Sequence, residues 1–203
     1  LNNVKKYCTF YLILLFSFYY SQQTEGLRII KNKYASEFEK IENASQSSII
    51  QKLSKKQLNE FIVKKNAAIS VLELKRNNEY LEELTRMKLY ESTHKSDIPS
   101  VKKLDEKREI VAEYSKGINQ FKQEILDNFY AGTINADGKI SCIVNFIFDK
   151  DGSIVEVKGV GDNEDFNKQA ELAVYLSDGT WEPARIDGYT VRYRMRLPLT
   201  IQF

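Results

Sequence analysis

Histidine occurs once in the 203 residues, at His94, and cysteine twice, at Cys8 and Cys142. That scarcity excludes a zinc cage built from Cys and His ligands and a framework of internal disulfides. No Ser-His-Asp set, P-loop or GxGxxG turn stands out. The residue inventory therefore predicts a protein that is not an enzyme and that needs no cofactor and no metal. An excess of one charge is missing as well. Lys and Arg number 30 against 28 Asp and Glu. Lys5 and Lys6 fall in a segment expected to be removed, so the remainder balances, and a bulk electrostatic grip on nucleic acid is not expected. With 42% hydrophobic and 29% charged residues, the chain is neither wholly disordered nor a multi-span membrane protein.

Long apolar runs are also lacking. The one candidate, Tyr7 to Tyr20, follows Lys5-Lys6 and precedes Ser21-Gln22-Gln23. This is the layout of a secretory signal peptide, and the run falls short of the roughly 20 residues a span requires. Residues 1–21 therefore read as a signal peptide or, if uncleaved, a short membrane anchor. Either way the remainder lies outside the cytoplasm, and after cleavage Cys142 is left with no cysteine to pair with.

Glycine and proline divide the rest of the chain. Between Leu27 and Lys116 there is no glycine and the only proline is Pro99, whereas Gly117 and everything after it hold eight of the nine glycines with Pro183 and Pro198. Both residues punctuate turns, so the division marks a change of architecture. Residues 22–111 read as helical. Ile30, Tyr34, Phe38 and Ile41 recur at helical spacing, and Ser54-Lys55-Lys56-Gln57 has the form of a capping box. Leu58, Phe61, Ile62, Ala68, Ile69, Leu72, Leu81, Leu84 and Met87 continue the apolar series, with Asn77-Asn78 as an expected interruption. Ser96 to Ser100, around Pro99, reads as a break. The expected product is two or three amphipathic helices, in a hairpin or a coiled coil.

Residues 112–203 read differently. Ile118, Phe121, Ile125 and Phe129 give a short helix, and Ile140–Phe148 is a strand rich in branched and aromatic side chains. Asp149-Lys150-Asp151-Gly152 turns it into a second strand, Ser153–Gly159. Glu164–Leu176 reads as a helix, and Asp187-Gly188 leads into a strand over Tyr189–Thr200, where Val191, Tyr193, Met195 and Leu197 alternate with Thr190, Arg192, Arg194 and Arg196. The predicted fold class is α+β: a C-terminal three-stranded antiparallel sheet with two helices, preceded by a mainly α-helical region.

The order and spacing of several pieces within 112–203 resemble the TonB C-terminal domain family, in the version common in Bacteroidetes-type bacteria. They are Ala112–Gly117 with Phe121, Gly138, Phe146–Ile154 across the hairpin, Trp181-Glu182-Pro183-Ala184, Asp187-Gly188 before Val191, and Leu197-Pro198-Leu199 near Phe203. The resemblance implies a periplasmic protein whose last strand pairs with a peptide segment of an outer-membrane receptor. It also implies an inner-membrane motor complex as a further partner, and a role in uptake of nutrients or siderophores. The partner-binding residues it implies are Tyr189, Val191, Arg192, Tyr193, Arg194, Met195 and Arg196, with the three arginines on one face, open to carboxylates. One proline in the intervening region leaves no extended polyproline spacer, although about 80 residues as a single helix would reach roughly 120 Å. Two functions stay open: a module coupling inner-membrane energy to receptors, and an adaptor or scaffold that keeps the fold without transduction.

Other conspicuous residues have plainer readings. Trp181 before Pro183 is expected in a core corner, Cys142 as a small buried hydrophobe, and His94 on the surface. Asp149, Asp151, Asp162 and Glu164 lack the ligand series of a calcium loop and read as turn residues. The alternating arginines have a second reading too, as charges that protect an edge strand from aggregation.

Overall fold

The computed structural model describes residues 24–45, 53–94 and 109–203. Residues 1–21, with their signal-peptide or anchor reading, and the expected break around Pro99 lie outside these. No helix among the described residues is long and apolar enough to cross a membrane.

The fold is α+β. Two helices come first, α1 (Glu25–Ser45) and α2 (Lys55–Thr93). Helix α2 begins where the sequence places it: the Gln57 amide donates to Ser54 Oγ at 3.4 Å, and Gln57 Oε1 accepts from the Ser54 amide at 3.0 Å. Such a cap contributes about 1 kcal/mol. The expected interruption at Asn77-Asn78 does not occur. Helix α2 runs through both, because Asn77 is buried and its Oδ1 accepts from Gln169 Nε2 at 3.0 Å, a tertiary bond that outweighs a weak local propensity. Lys33 and Tyr34 meet Glu79, while Lys65 meets Glu42 further along, so α1 and α2 form an antiparallel hairpin.

Short strands β1 (Glu109–Ile110) and β2 (Glu113–Tyr114) precede helix α3 (Ile118–Asn128). The main sheet is built from β3 (Lys139–Phe148), β4 (Ile154–Val160) and, at the C-terminus, β8 (Tyr193–Gln202), in the antiparallel order β4-β3-β8. Between β4 and β8 lie helix α4 (Glu164–Tyr175) and strands β5 (Trp181–Glu182), β6 (Arg185–Ile186) and β7 (Tyr189–Thr190). The short strands make two further sheets that the sequence did not suggest, β1-β6-β7 and β2-β5. Two-residue strands leave no periodicity to read. Because Glu109–Ile110 pairs with β6, the C-terminal module takes in chain upstream of residue 112.

The expected strand over Tyr189–Thr200 is corrected. Tyr189 and Thr190 pair back onto β6 across a turn in which Asp187 and Gly188 both have positive φ, the backbone of a tight hairpin. The Val191 amide donates to the Ala184 carbonyl at 2.9 Å, which completes that hairpin. The final strand starts only at Tyr193.

Three layers stack on one apolar core. Cys142, Val144, Phe146 and Phe148 of β3, with Leu197 and Leu199 of β8, face Phe121 and Ile125 of α3 and Phe166, Ala170, Ala173 and Val174 of α4. Trp181 lies at its centre, with ring centroids 4.1 Å from Phe148 and 4.9 Å from Phe121. Helix α4 is buried along most of its length, because Leu27, Ile30, Tyr34, Tyr80 and Leu84 of the hairpin close its outer side. Gly152 (φ +86°) turns β3 into β4, and a Cβ there would sit 2.2 Å from the Trp181 carbonyl oxygen. The turn and the core thus need the same glycine.

Candidate protein-docking edge

A three-stranded sheet has two outer edges, and backbone phase decides which groups each presents. Gly138 and Phe203 exchange both backbone hydrogen bonds, at 3.4 and 2.9 Å, just beyond the ends of β3 and β8. Hydrogen-bonded and non-hydrogen-bonded pairs alternate along an antiparallel ladder. The register Phe148↔Tyr193, Phe146↔Met195 and Val144↔Leu197 therefore consists of hydrogen-bonded pairs. Arg194, opposite Ile147, and Arg196, opposite Asn145, occupy the other phase. Their N–H and C=O groups point away from β3, toward the free side of β8. Pro198, opposite Ile143, lies in the same outward phase, where the missing N–H costs the sheet nothing.

No described residue bonds to that side of β8. Its side chains divide in step with the backbone. Tyr193, Met195, Leu197, Leu199 and Ile201 turn toward the core, while Arg194 and Arg196 are exposed on the uncovered face of the sheet. Neither arginine has an ion pair among the described residues.

The edge of β4 is closed. The Gly159 amide donates to Glu171 Oε1 at 2.7 Å, the Val157 amide to the Tyr175 hydroxyl at 3.3 Å, and the Glu156 amide to Glu91 Oε1 at 3.2 Å. The Tyr175 hydroxyl in turn donates to Glu91 at 2.9 Å, and Lys88 pairs with Glu171. Burial and the neighbouring Glu91 carboxylate hold the Tyr175 phenol far above its ordinary value, so it remains a neutral donor. Glu156 sits at a register shift in the β3–β4 ladder with φ +54°, an irregularity that turns its amide out of the sheet toward α2.

The seven residues expected to bind a partner separate into three groups. Arg194 and Arg196 stand on the open edge with outward backbone groups. Tyr193 and Met195 are on the same strand, but their backbone groups are committed to β3, and their side chains supply its core-facing flank. Tyr189 and Val191 belong to the β6–β7 hairpin, and Arg192 precedes the strand. Arg192 does not join the other two arginines: its guanidinium is held 3.5 Å from both Asp149 and Glu156, with its side chain only 15% exposed. Edge residues that the alternation does not mark are Pro198, which fixes the phase, and Glu91, Glu171 and Tyr175, which close the opposite edge. Pro198 carried a usable signal, since a proline inside an alternating strand must turn its nitrogen away from the neighbouring strand. The other three lie on helices, and no local pattern ties them to β4.

Trp181 is buried in the core, and Asp149 and Asp151 form the β3–β4 turn, where the Ser153 amide donates to Asp151 Oδ1 at 2.9 Å. Burial pushes the Cys142 thiol up to about 11, with the Glu171 carboxylate adding to the rise. His94 closes the C-terminus of α2 and stacks on Tyr90 at 4.0 Å.

Compared with protein-family models, with curated proteins and with solved structures, the chain finds no match.

Proposed function

We propose that this chain is an exported, periplasmic protein-binding module that works by β-augmentation, as its resemblance to TonB C-terminal domains implies. An extended segment of an outer-membrane receptor adds to the sheet beside β8. The observation that carries this reading is the contrast between the two edges: side chains occupy the amides of β4, and the outward amides of Arg194 and Arg196 have no partner among the described residues. Unpaired strand edges are templates for extended chains, and main-chain bonding supplies affinity without catalysis.

Of the two roles for such a module, an adaptor is favoured over a transducer that reaches across the periplasm. The described helices fold back as a hairpin against α4, through Asn77–Gln169 and Lys88–Glu171, and against the turn that follows it, through Lys31–Asp178. A single helix of about 80 residues is therefore not the arrangement of this region, and the reach it offered is lost.

The test is a titration of the isotope-labelled full chain with extended peptides from receptor plug segments, followed by amide hydrogen exchange. Docking on β8 protects the Arg194 and Arg196 amides and leaves those of Val157 and Gly159 unchanged. Protection confined to any other surface, or no protection by any plug segment, overturns the proposal.

A further inference from the structure

The open edge also constrains what can lie on it, and this inference rests on the β8 docking reading. Three candidates for the occupant are a second copy of this chain, the connecting segment 95–108, and an acidic extended segment from another protein.

Self-pairing is opposed by charge and by proline. A register of two antiparallel β8 copies centred on Pro198 sets two prolines face to face and loses both central hydrogen bonds. The two registers centred on the arginines place Arg194 opposite Arg196 of the second copy, or centre on Arg196 and set Arg194 against Pro198. Of these last two, both put like charges directly across a ladder, and the second also loses a hydrogen bond at each end. The connecting segment is no better suited, with Lys95, Lys102, Lys103, Lys107 and Arg108 against Asp97, Asp105 and Glu106.

The uncovered face of the sheet shows the same bias. On β3 the residues in phase with it are Lys139, Ser141, Ile143, Asn145 and Ile147, the last of them buried; on β8 they are Arg194, Arg196, Pro198, Thr200 and Gln202; β4 adds Val155, Lys158 and Val160 opposite Ile147, Asn145 and Ile143. Four cations share this surface in a chain whose total charge is only +2, and the carboxylates at its end, Asp149 and Glu156, are both taken up by Arg192. It also has no aromatic residue on which a base could stack, which sets it apart from single-strand nucleic-acid platforms.

We infer that the natural occupant of β8 is a short acidic strand. It pairs with the outward groups of Arg194 and Arg196, carries a carboxylate at alternate positions over the two guanidinium groups, and turns apolar side chains toward Met195 and Leu197. Pro198 ends the continuous pairing window, because it accepts but cannot donate. About five residues of partner are therefore engaged.

Two blocked five-residue peptides test this with the full chain, one alternating valine with glutamate and the other valine with lysine. The acidic peptide binds more tightly, and the preference weakens as salt is raised from about 50 to 500 mM. Replacing both arginines (Arg194→Gln with Arg196→Gln) weakens the acidic peptide roughly five- to tenfold and leaves the basic one no weaker. Arg196→Pro, which deletes an outward amide together with one guanidinium, weakens both, and its loss on the basic peptide, which gains nothing from the guanidinium, isolates the amide. Equal binding of the two peptides, lost in Arg196→Pro but indifferent to the glutamine substitutions, overturns the acidic preference and leaves strand addition standing. Binding of either peptide that Arg196→Pro does not change, in a variant whose circular dichroism is native, overturns strand addition at β8 itself. Dimerisation of the unmodified chain through β8 overturns the exclusion of self-pairing.

Discussion

The two margins of the main sheet solve one problem in opposite ways. Along β4 every amide that faces outward between Glu156 and Gly159 on the helix side meets a side-chain oxygen, and those oxygens come from Glu171, Tyr175 and Glu91. Along β8 protection is electrostatic and steric: two exposed arginines and a proline, with no atom bonded to the outward amides among the described residues. The two forms of protection differ in what each edge tolerates. An edge plugged by carboxylates and a buried phenol is structural, because unplugging it leaves buried and half-buried N–H groups without partners. An edge guarded only by charge stays stable when empty, and its outward amides remain available to an extended chain, as the proposed docking requires.

Proline substitution separates the inward and outward phases of β8 most strongly. Met195 is paired with Phe146 in the inward phase, so Met195→Pro removes a ladder hydrogen bond from the middle of the sheet and sets a ring against β3. A loss of about 3 kcal/mol or more is expected, against about 1 kcal/mol for Arg196→Pro, where the missing amide faces outward. Urea unfolding of the two variants measures both. Equal losses would mean that the ladder phase is assigned wrongly.

The second effect is on the closed edge. Glu171 is 4% exposed and bridges the Gly159 amide to Lys88. Glu171→Ala leaves a half-buried amide and a partly exposed cation without their acceptor, and about 1–3 kcal/mol is expected to be lost. Glu171→Gln retains an acceptor for Gly159 and should lose less. If Glu171→Ala unfolds at the same urea concentration as the unmodified chain, the plug is incidental and the two edges are not distinct.

How far this contrast was legible in the sequence depends on the range of the forces involved. The alternation of Tyr193, Met195 and Leu197 with Arg194 and Arg196 is a local signal, as are the Asp187-Gly188 turn, the Ser54 cap and the apolar spacing of α3. Each was visible and each is present. Where the final strand begins was not legible, because Val191 and Arg192 continue the alternation while a backbone bond to Ala184 and the acids at 149 and 156 hold them elsewhere. Asn77 misled for the same reason: its partner, Gln169, is 92 residues away. The closed edge was invisible altogether, since Glu91 and Glu171 look like ordinary charged helix residues until the fold sets them against β4.

A weaker effect is expected in the turn that joins β3 to β4, where pH distinguishes the two margins. Asp151 accepts from the Ser153 amide at 2.9 Å and from the Ser153 hydroxyl at 2.7 Å. Burial works to raise its carboxyl, yet the hydrogen bonds from Ser153 outweigh it and hold the group below its ordinary value near 3.8. A carboxyl lowered in the folded state adds stability above its unfolded value, and that stability disappears as pH falls through the folded value. Unfolding titrations from pH 6 down to pH 2 should therefore show Asp151→Asn converging on the unmodified chain only below about pH 4, with a difference under about 1 kcal/mol at pH 6. Arg194→Gln, on the other margin, has no folded-state carboxylate to lose and should track the unmodified chain across the same range. A pH-dependent divergence of Arg194→Gln would place an acidic group against β8 and end the description of that edge as open.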